Sequence, residues 1–232
     1  MNVYLIGYRG TGKTTVARAL AELLGAVAVD ADEWLEAAAG CSIRELFATG
    51  GEPLFRDHES AAVRVLTARD GLVVSWGGGV ILRPENRVAL RKGYTVWLRA
   101  TPATLWQRIA GDPSTGERRP NLTASGGLAE IEQVLAARTP LYAESADCAV
   151  DTERATPAEI AVMIAREIAK EFSKEIAGDH AVKSDGMTDG KTDGTKTNGM
   201  TDGMTDRMTD GTKTSCRDIR RTESTGPAGG RE

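Results

Sequence analysis

Aromatic residues make up only 5% of this 232-residue chain, histidine occurs twice and cysteine three times. His58 has no Cys, His or Ser constellation beside it, which excludes a histidine-centred nucleophilic site there and leaves a surface or supporting place. Cys41, Cys148 and Cys216 are odd in number, widely spaced and without metal-ligand spacing. They exclude a disulfide framework or a structural zinc site, and reduced thiols in a reducing compartment are expected. No apolar run approaches the length of a membrane span, and the first strand-like run begins at residue 2 or 3, leaving no room for a secretory signal. The expected location is the cytoplasm. No strong charge of either sign is present: the formal net charge is −4, which excludes a polyanion-binding surface, so neither a nucleic acid nor a membrane is expected as partner.

The last quarter of the chain lacks most of what a core needs. From Asp179 onward there is no Leu, Phe, Trp or Tyr, and a degenerate Thr-Asp-Gly ladder ("MTDG", "KTDG") takes their place. Its charges nearly cancel, 8 Asp and 2 Glu against 4 Lys and 5 Arg. Such a segment cannot bury enough apolar surface to offset its ordering entropy, so a folded domain over residues 1–177 and a disordered tail over 178–232 are expected.

What is present begins at once. "NVYLI" reads as a buried strand, "GYRGTGKTT" follows it, and "TTVARALAELLG" reads as a helix with Val16, Leu20, Leu23 and Leu24 on its apolar stripe and Gly25 as its stop. The spacing Gly7-x-x-x-x-Gly12-Lys13-Thr14 is the phosphate-binding P-loop pattern. A glycine-rich turn between strand and helix points backbone N–H groups into one concavity at the positive end of the helix dipole. Gly10, Thr11, Gly12, Lys13, Thr14 and Thr15 are therefore candidate nucleotide-binding residues. Lys13 reaches the β- and γ-phosphates, and the Thr14 hydroxyl is placed to ligate Mg²⁺.

Further strand-like runs at 26–29, 72–76, 94–98 and 148–150 alternate with helical stretches at 13–24, 32–39, 52–68, 84–92, 102–110, 127–138 and 157–172. Alternation of this kind predicts an α/β fold of three layers, a five-stranded parallel sheet with helices on both faces. Ligands in such folds bind at the carboxyl ends of the strands. The chemical residues do follow strands: Asp30-Ala31-Asp32 after the second, Gly77-Gly78-Gly79 after the third. Between them lies "FRDHE" with Arg56; later come "ERRPNL" with Arg118 and Arg119, and "RTPLY" with Arg138.

Taken together, Asp30-Ala31-Asp32, Phe55-Arg56-Asp57-His58-Glu59, Gly77-Gly78-Gly79, Arg119-Pro120-Asn121-Leu122 and Arg138-Thr139-Pro140-Leu141-Tyr142, in this order behind a P-loop, resemble the shikimate kinases over nearly all of residues 2–172. The resemblance implies a P-loop kinase fold with a mobile lid at about 111–125, ATP as co-substrate and Mg²⁺ as cofactor. It also implies a monomer that phosphorylates the 3-hydroxyl of shikimate in chorismate and aromatic amino acid biosynthesis. Shikimate is a cyclohexene carboxylate with three hydroxyls, and guanidinium forks grip carboxylates well. By resemblance Arg56 and Arg138 hold that carboxylate, Gly77, Gly78 and Gly79 lie against the ring, and Asp32 binds ring hydroxyls and takes the proton of the attacking one. Asp30 and Ser75 hold Mg²⁺ through water, Arg119 on the lid meets the γ-phosphate, Arg108 stacks on adenine and Pro157 covers its other face. Lys13, Asp32 and Arg119 form the catalytic set.

Plainer readings stand beside these. Arg56 can pair with Glu59 along a helix, Arg118 reads as a solvated charge, and Trp34, Trp76, Trp97 and Trp106 read as core and pocket-wall residues. Trp76 departs from the aliphatic residue often found there, and Asn121 replaces the lid leucine. A gluconate-type small-metabolite kinase would share the P-loop without the glycine triplet and two carboxylate-binding arginines. A non-catalytic binding protein of the same fold would have lost some of Lys13, Asp32, Arg56, Arg119 and Arg138, and all five are present.

Overall fold

Five short, valine-containing runs of mostly apolar residues become five parallel strands: β1 (Val3–Ile6), β2 (Val27–Asp30), β3 (Leu72–Ser75), β4 (Tyr94–Arg99) and β5 (Cys148–Asp151). The computed structural model describes residues 1–111 and 127–184. The sheet order is β2-β3-β1-β4-β5. β1 and β3 are buried along their whole length, as central strands covered on both faces must be. Register sets up the site: Asp30 pairs with Ser75 and Leu5 with Ser75 and Val96, so the chain ends of β1, β2 and β3 emerge side by side.

Among the described residues, seven helices accompany them: α1 (Lys13–Leu24), α2 (Ala31–Ala39), α3 (Ile43–Leu66), α4 (Pro84–Leu90), α5 (Pro102–Ala110), α6 (Gly127–Ser145) and α7 (Pro157–Ser184). On one face, Val16 and Leu20 of α1 and Ile160, Ile164 and Ile168 of α7 pack on Val3, Leu5, Val73 and Val96. On the other, Val63 and Leu66 of α3, Leu90 of α4 and Tyr142 of α6 pack with Trp76 on Tyr4, Ile6 and Val74. The three-layer expectation holds. Two compact units are distinguished: the α/β body, Met1–Ile168, and a second unit starting at Ala169, whose described part is the end of α7.

The structure departs from the expectations in four places. The helix expected at 52–68 begins at Ile43, where Ser42 and Glu45 form a reciprocal cap: Glu45 N–H donates to Ser42 Oγ (3.2 Å) and Ser42 N–H to Glu45 Oε2 (3.0 Å). It kinks at Gly51 (φ 65°, ψ −163°) before Pro53, so two helices meet there. Both α6 and α7 run past their expected ends at 138 and 172. Trp106 is 41% exposed on α5 rather than part of a core or pocket wall, while Trp76 is buried and does line the site. Cys148 is a free thiol, but Cys41 is disulfide-bonded, against the expectation of reduced cysteines throughout.

Candidate active site

The chain leaves β1 at Ile6 and turns through the glycine-rich loop into α1, whose capping residue Gly12 is left-handed (φ 82°, ψ 17°). Any other residue would be strained there, and the turn aims the first N–H groups of α1 at the carboxyl edge of the sheet. A cavity of about 490 Å³ opens on this edge, lined by Gly10, Gly12, Lys13, Thr14 and Thr15 of the loop and by Asp30, Asp32, Ser75, Gly77, Gly78 and Arg108. Every one of these was expected from sequence. Thr11 is buried behind the loop instead, its hydroxyl donating to the Tyr8 carbonyl (2.9 Å). The Lys13 ammonium folds back over the loop, donating to the carbonyls of Gly7 (2.9 Å) and Tyr8 (2.8 Å).

One corner of the cavity gathers hard oxygen donors. The Thr14 hydroxyl donates to Asp30 Oδ2 (2.7 Å) and lies 3.2 Å from Ser75 Oγ. Asp30 keeps its other oxygen as the cap of α2, accepting from the N–H groups of Asp32 (3.0 Å) and Glu33 (3.4 Å). Capping fixes the carboxylate's aim, and places Asp32 two residues further on, at the second position of α2. Among the described residues no group of three His, Cys, Asp or Glu side chains forms a cation cage. One carboxylate with two hydroxyls instead suits Mg²⁺, which keeps several waters and shares its shell with phosphates.

The glycine triplet lies just beyond the third strand, after Trp76, and two arginines converge on it from different helices. The Arg56 guanidinium packs so close to Gly79 that a β-carbon there would overlap it. It is nearly buried and held by Glu59 (Nη1 to Oε2, 2.7 Å) and Glu52 (Nη2 to Oε1, 2.8 Å), over the face of Phe55 (5.0 Å). The helix pair Arg56–Glu59 is thus present. Arg138 of α6 donates from Nη1 to the Gly78 carbonyl (3.1 Å), which also accepts from the Tyr142 hydroxyl (2.6 Å). Burial pushes the Tyr142 hydroxyl up to about 12, so it stays a donor at all ordinary pH. The ring of Tyr142 stacks on Trp97 (5.6 Å between centroids), fixing α6 against β4.

Arg108 closes the other end. It donates to the Gly10 carbonyl (3.3 Å) and to the Thr152 hydroxyl (3.0 Å) and carbonyl (2.7 Å), tying α5 to the loop and to the end of β5. Pro157 stands exposed at the first position of α7 and is not part of the cavity lining. Arg118, Arg119 and most of the expected lid lie outside the described residues. Sequence reading missed two site residues, Arg9 and Tyr142's hydroxyl. The Tyr142 hydroxyl has no signal of its own in "RTPLY"; for Arg9, an arginine between loop glycines is the signal the sequence offers.

A parallel sheet ordered β2-β3-β1-β4-β5, with a P-loop after its central strand and an acidic and hydroxyl corner beside it, defines the class of P-loop kinases that act on small molecules. The family model for shikimate kinase matches residues 9–173. Curated relatives named shikimate kinase include one from Rhodopirellula baltica, 43% identical over 71% of this chain and 89% of its own length. Another, from Symbiobacterium thermophilum, is 41% identical over 71% of this chain and 94% of its own. A solved shikimate kinase from Acinetobacter baumannii, in complex with shikimate, superposes with a TM-score of 0.68 at 34% identity, covering 73% of this chain and 93% of that one. The chain belongs to the shikimate kinase family.

Proposed function

We propose that this chain transfers the γ-phosphoryl group of ATP to the 3-hydroxyl of shikimate, giving shikimate 3-phosphate and ADP, as a monomer in the cytoplasm. The product then serves chorismate and aromatic amino acid biosynthesis. The observation that carries the reading is the meeting of Arg56 and Arg138 on consecutive glycines beside a P-loop cavity. Two guanidinium groups at a bare backbone suit a small carboxylate, and Asp32 across the cavity suits its hydroxyls. Among the described residues no helix is long and apolar enough to cross a membrane, which is compatible with that location.

Phosphoryl transfer asks a protein mainly for positioning and charge neutralisation. Arg56 and Arg138 grip the carboxylate, and Gly77, Gly78 and Gly79 admit the ring to the backbone. Asp32 accepts the proton of the 3-hydroxyl as its oxygen bonds to the γ-phosphorus and the bond to the β-phosphate oxygen breaks, releasing ADP. Gly10, Thr11, Gly12, Lys13, Thr14 and Thr15 bind the phosphates, with Lys13 and Arg119 neutralising the charge that builds on the transferring group. Arg108 and Pro157 hold the adenine. Thr14 directly, and Asp30 and Ser75 through water, would hold Mg²⁺, which supplies charge neutralisation at the phosphates. Closure of the lid over residues 111–125 excludes water, the competing nucleophile.

The test is ADP release by the full chain with shikimate, with gluconate and with no acceptor, each with and without Mg²⁺. Release that depends on both shikimate and Mg²⁺ is expected. Equal turnover with gluconate, or with no acceptor, would overturn the assignment.

A further inference from the structure

One charged pair in the site has no part in the chemistry above. Arg9 lines the cavity, and its Nη2 donates to Oε1 of Glu130 on α6 at 3.0 Å. The Glu130 side chain is fully buried and that of Arg9 largely so. A buried carboxylate is not carried for surface charge, because desolvation of the ion is costly unless a partner holds it. Here the partner sits one residue from the part of the loop where Lys13 folds back, on the carbonyls of Gly7 and Tyr8.

The same stretch faces the acceptor side. A β-carbon on Gly78 would lie 3.2 Å from the Gly7 carbonyl oxygen and 3.6 Å from the Tyr8 α-carbon. Arg9 therefore stands where the loop, the lysine that reaches the β- and γ-phosphates and the acceptor-side glycines come together. A guanidinium has five N–H donors, so a bond from Nη2 to Glu130 leaves others for a second anion. Lys13 and Arg108 also line this cavity, but the bonds described for them run to backbone carbonyls and to the Thr11 and Thr152 hydroxyls. For Arg9 the anchor is a carboxylate on α6, the first helix described beyond residues 112–126.

We propose that Arg9 is a further catalytic residue, contacting the transferring phosphoryl group as its charge develops, and that Glu130 is the positioning residue that aims it. The inference rests on the phosphoryl-transfer reading above. Glu130 needs no contact with either substrate; it fixes the plane of the fork, so binding in the ground state changes little and stabilisation appears in the transition state.

The experiment is steady-state kinetics of the full chain as wild type, Arg9→Lys, Arg9→Ala, Glu130→Gln and Arg9→Ala/Glu130→Gln. Arg9→Lys keeps a cation beside Glu130 and so protects the fold while removing the planar fork. Loss of a transition-state donor should lower kcat in both Arg9 variants by about 10²-fold, with both KM values little changed. Glu130→Gln should lower kcat in the same sense, and in the double variant it should add nothing to the loss from Arg9→Ala. A merely structural Glu130 would lower the melting temperature equally in both backgrounds and leave kcat unmoved. Wild-type kcat in Arg9→Lys, or losses that multiply in the double variant, would overturn the inference alone. A wild-type chain with no shikimate-dependent ADP release would overturn both it and the functional reading.

Discussion

Arg56 and Arg138 reach neighbouring glycines, yet their surroundings make them unequal to mutation. Arg138 is half-buried and donates to a backbone carbonyl that Tyr142 also satisfies. Arg138→Ala should therefore raise the shikimate KM far more than the ATP KM, by the 2–5 kcal/mol or so that a lost partner of a buried charge costs, with little change in melting temperature. Arg56→Ala should weaken shikimate binding and also destabilise the fold by about 3–5 kcal/mol, because it strands the buried Glu59 carboxylate. Shikimate titration and thermal melting of both variants check this; a normal shikimate KM in either variant would remove that arginine from the substrate site. Gly79→Ala should weaken shikimate binding and leave the ATP KM unchanged, since its β-carbon would displace the Arg56 guanidinium. Unchanged shikimate affinity in that variant would show that Arg56 can move aside without loss. At this scale the sequence was informative wherever a residue type is rare or specially spaced, as with Lys13, Asp30 and the glycines. It was silent on Glu130, because one glutamate on a helix looks solvated until the packing that buries it is known.

Helix ends and strand ends position this chemistry, and their legibility follows from how local their causes are. The Gly25 stop and the alternation of strands and helices depend on neighbours in sequence, and they stand close to where expected. The first half of α3 was missed because Gly50 and Gly51 interrupt its pattern, although Ser42-Ile-Arg-Glu45 announces a helix start. The loop between β5 and α7 illustrates a non-local cause. Glu153 there accepts from the Thr101 hydroxyl (2.5 Å) and N–H (2.8 Å) and the Thr104 hydroxyl (2.7 Å), joining it to the start of α5. These bonds, the Thr101 hydroxyl foremost, hold its carboxyl at about 2 against an ordinary 4.5. A lowered folded-state value means that the stabilisation is complete above the ordinary carboxylate range and fades as pH falls towards about 2. The melting-temperature gap between wild type and Glu153→Gln should thus be open at neutral pH and close on acidification; a gap independent of pH would contradict it.

For the whole molecule, the parallel sheet and the burial of its central strands follow from the alternation of strands and helices, which the sequence pattern already implied, whereas the strand order β2-β3-β1-β4-β5 was not legible. Which helix covers which face was not legible, since the apolar stripes of α1 and α3 look alike until register is set. The expected boundary at residue 177 falls within α7, which runs on to Ser184. The body's core closes with Ile160, Ile164 and Ile168, so in reducing buffer, where the Cys41 disulfide is open in both chains, a chain ending at 177 should keep its melting temperature, and its kcat/KM should stay within about twofold. A many-fold loss in that comparison would give residues beyond 177 a part in the fold or the site. The central claim, that this sheet edge passes the γ-phosphoryl group of ATP to one hydroxyl of a carboxylated ring, is tested most directly by identifying the product. Phosphorus and proton NMR of the full chain with ATP, Mg²⁺ and shikimate should show one new phosphate monoester coupled to the ring proton at carbon 3, in step with ADP. Inorganic phosphate alone, or an ester at another hydroxyl, would contradict the account.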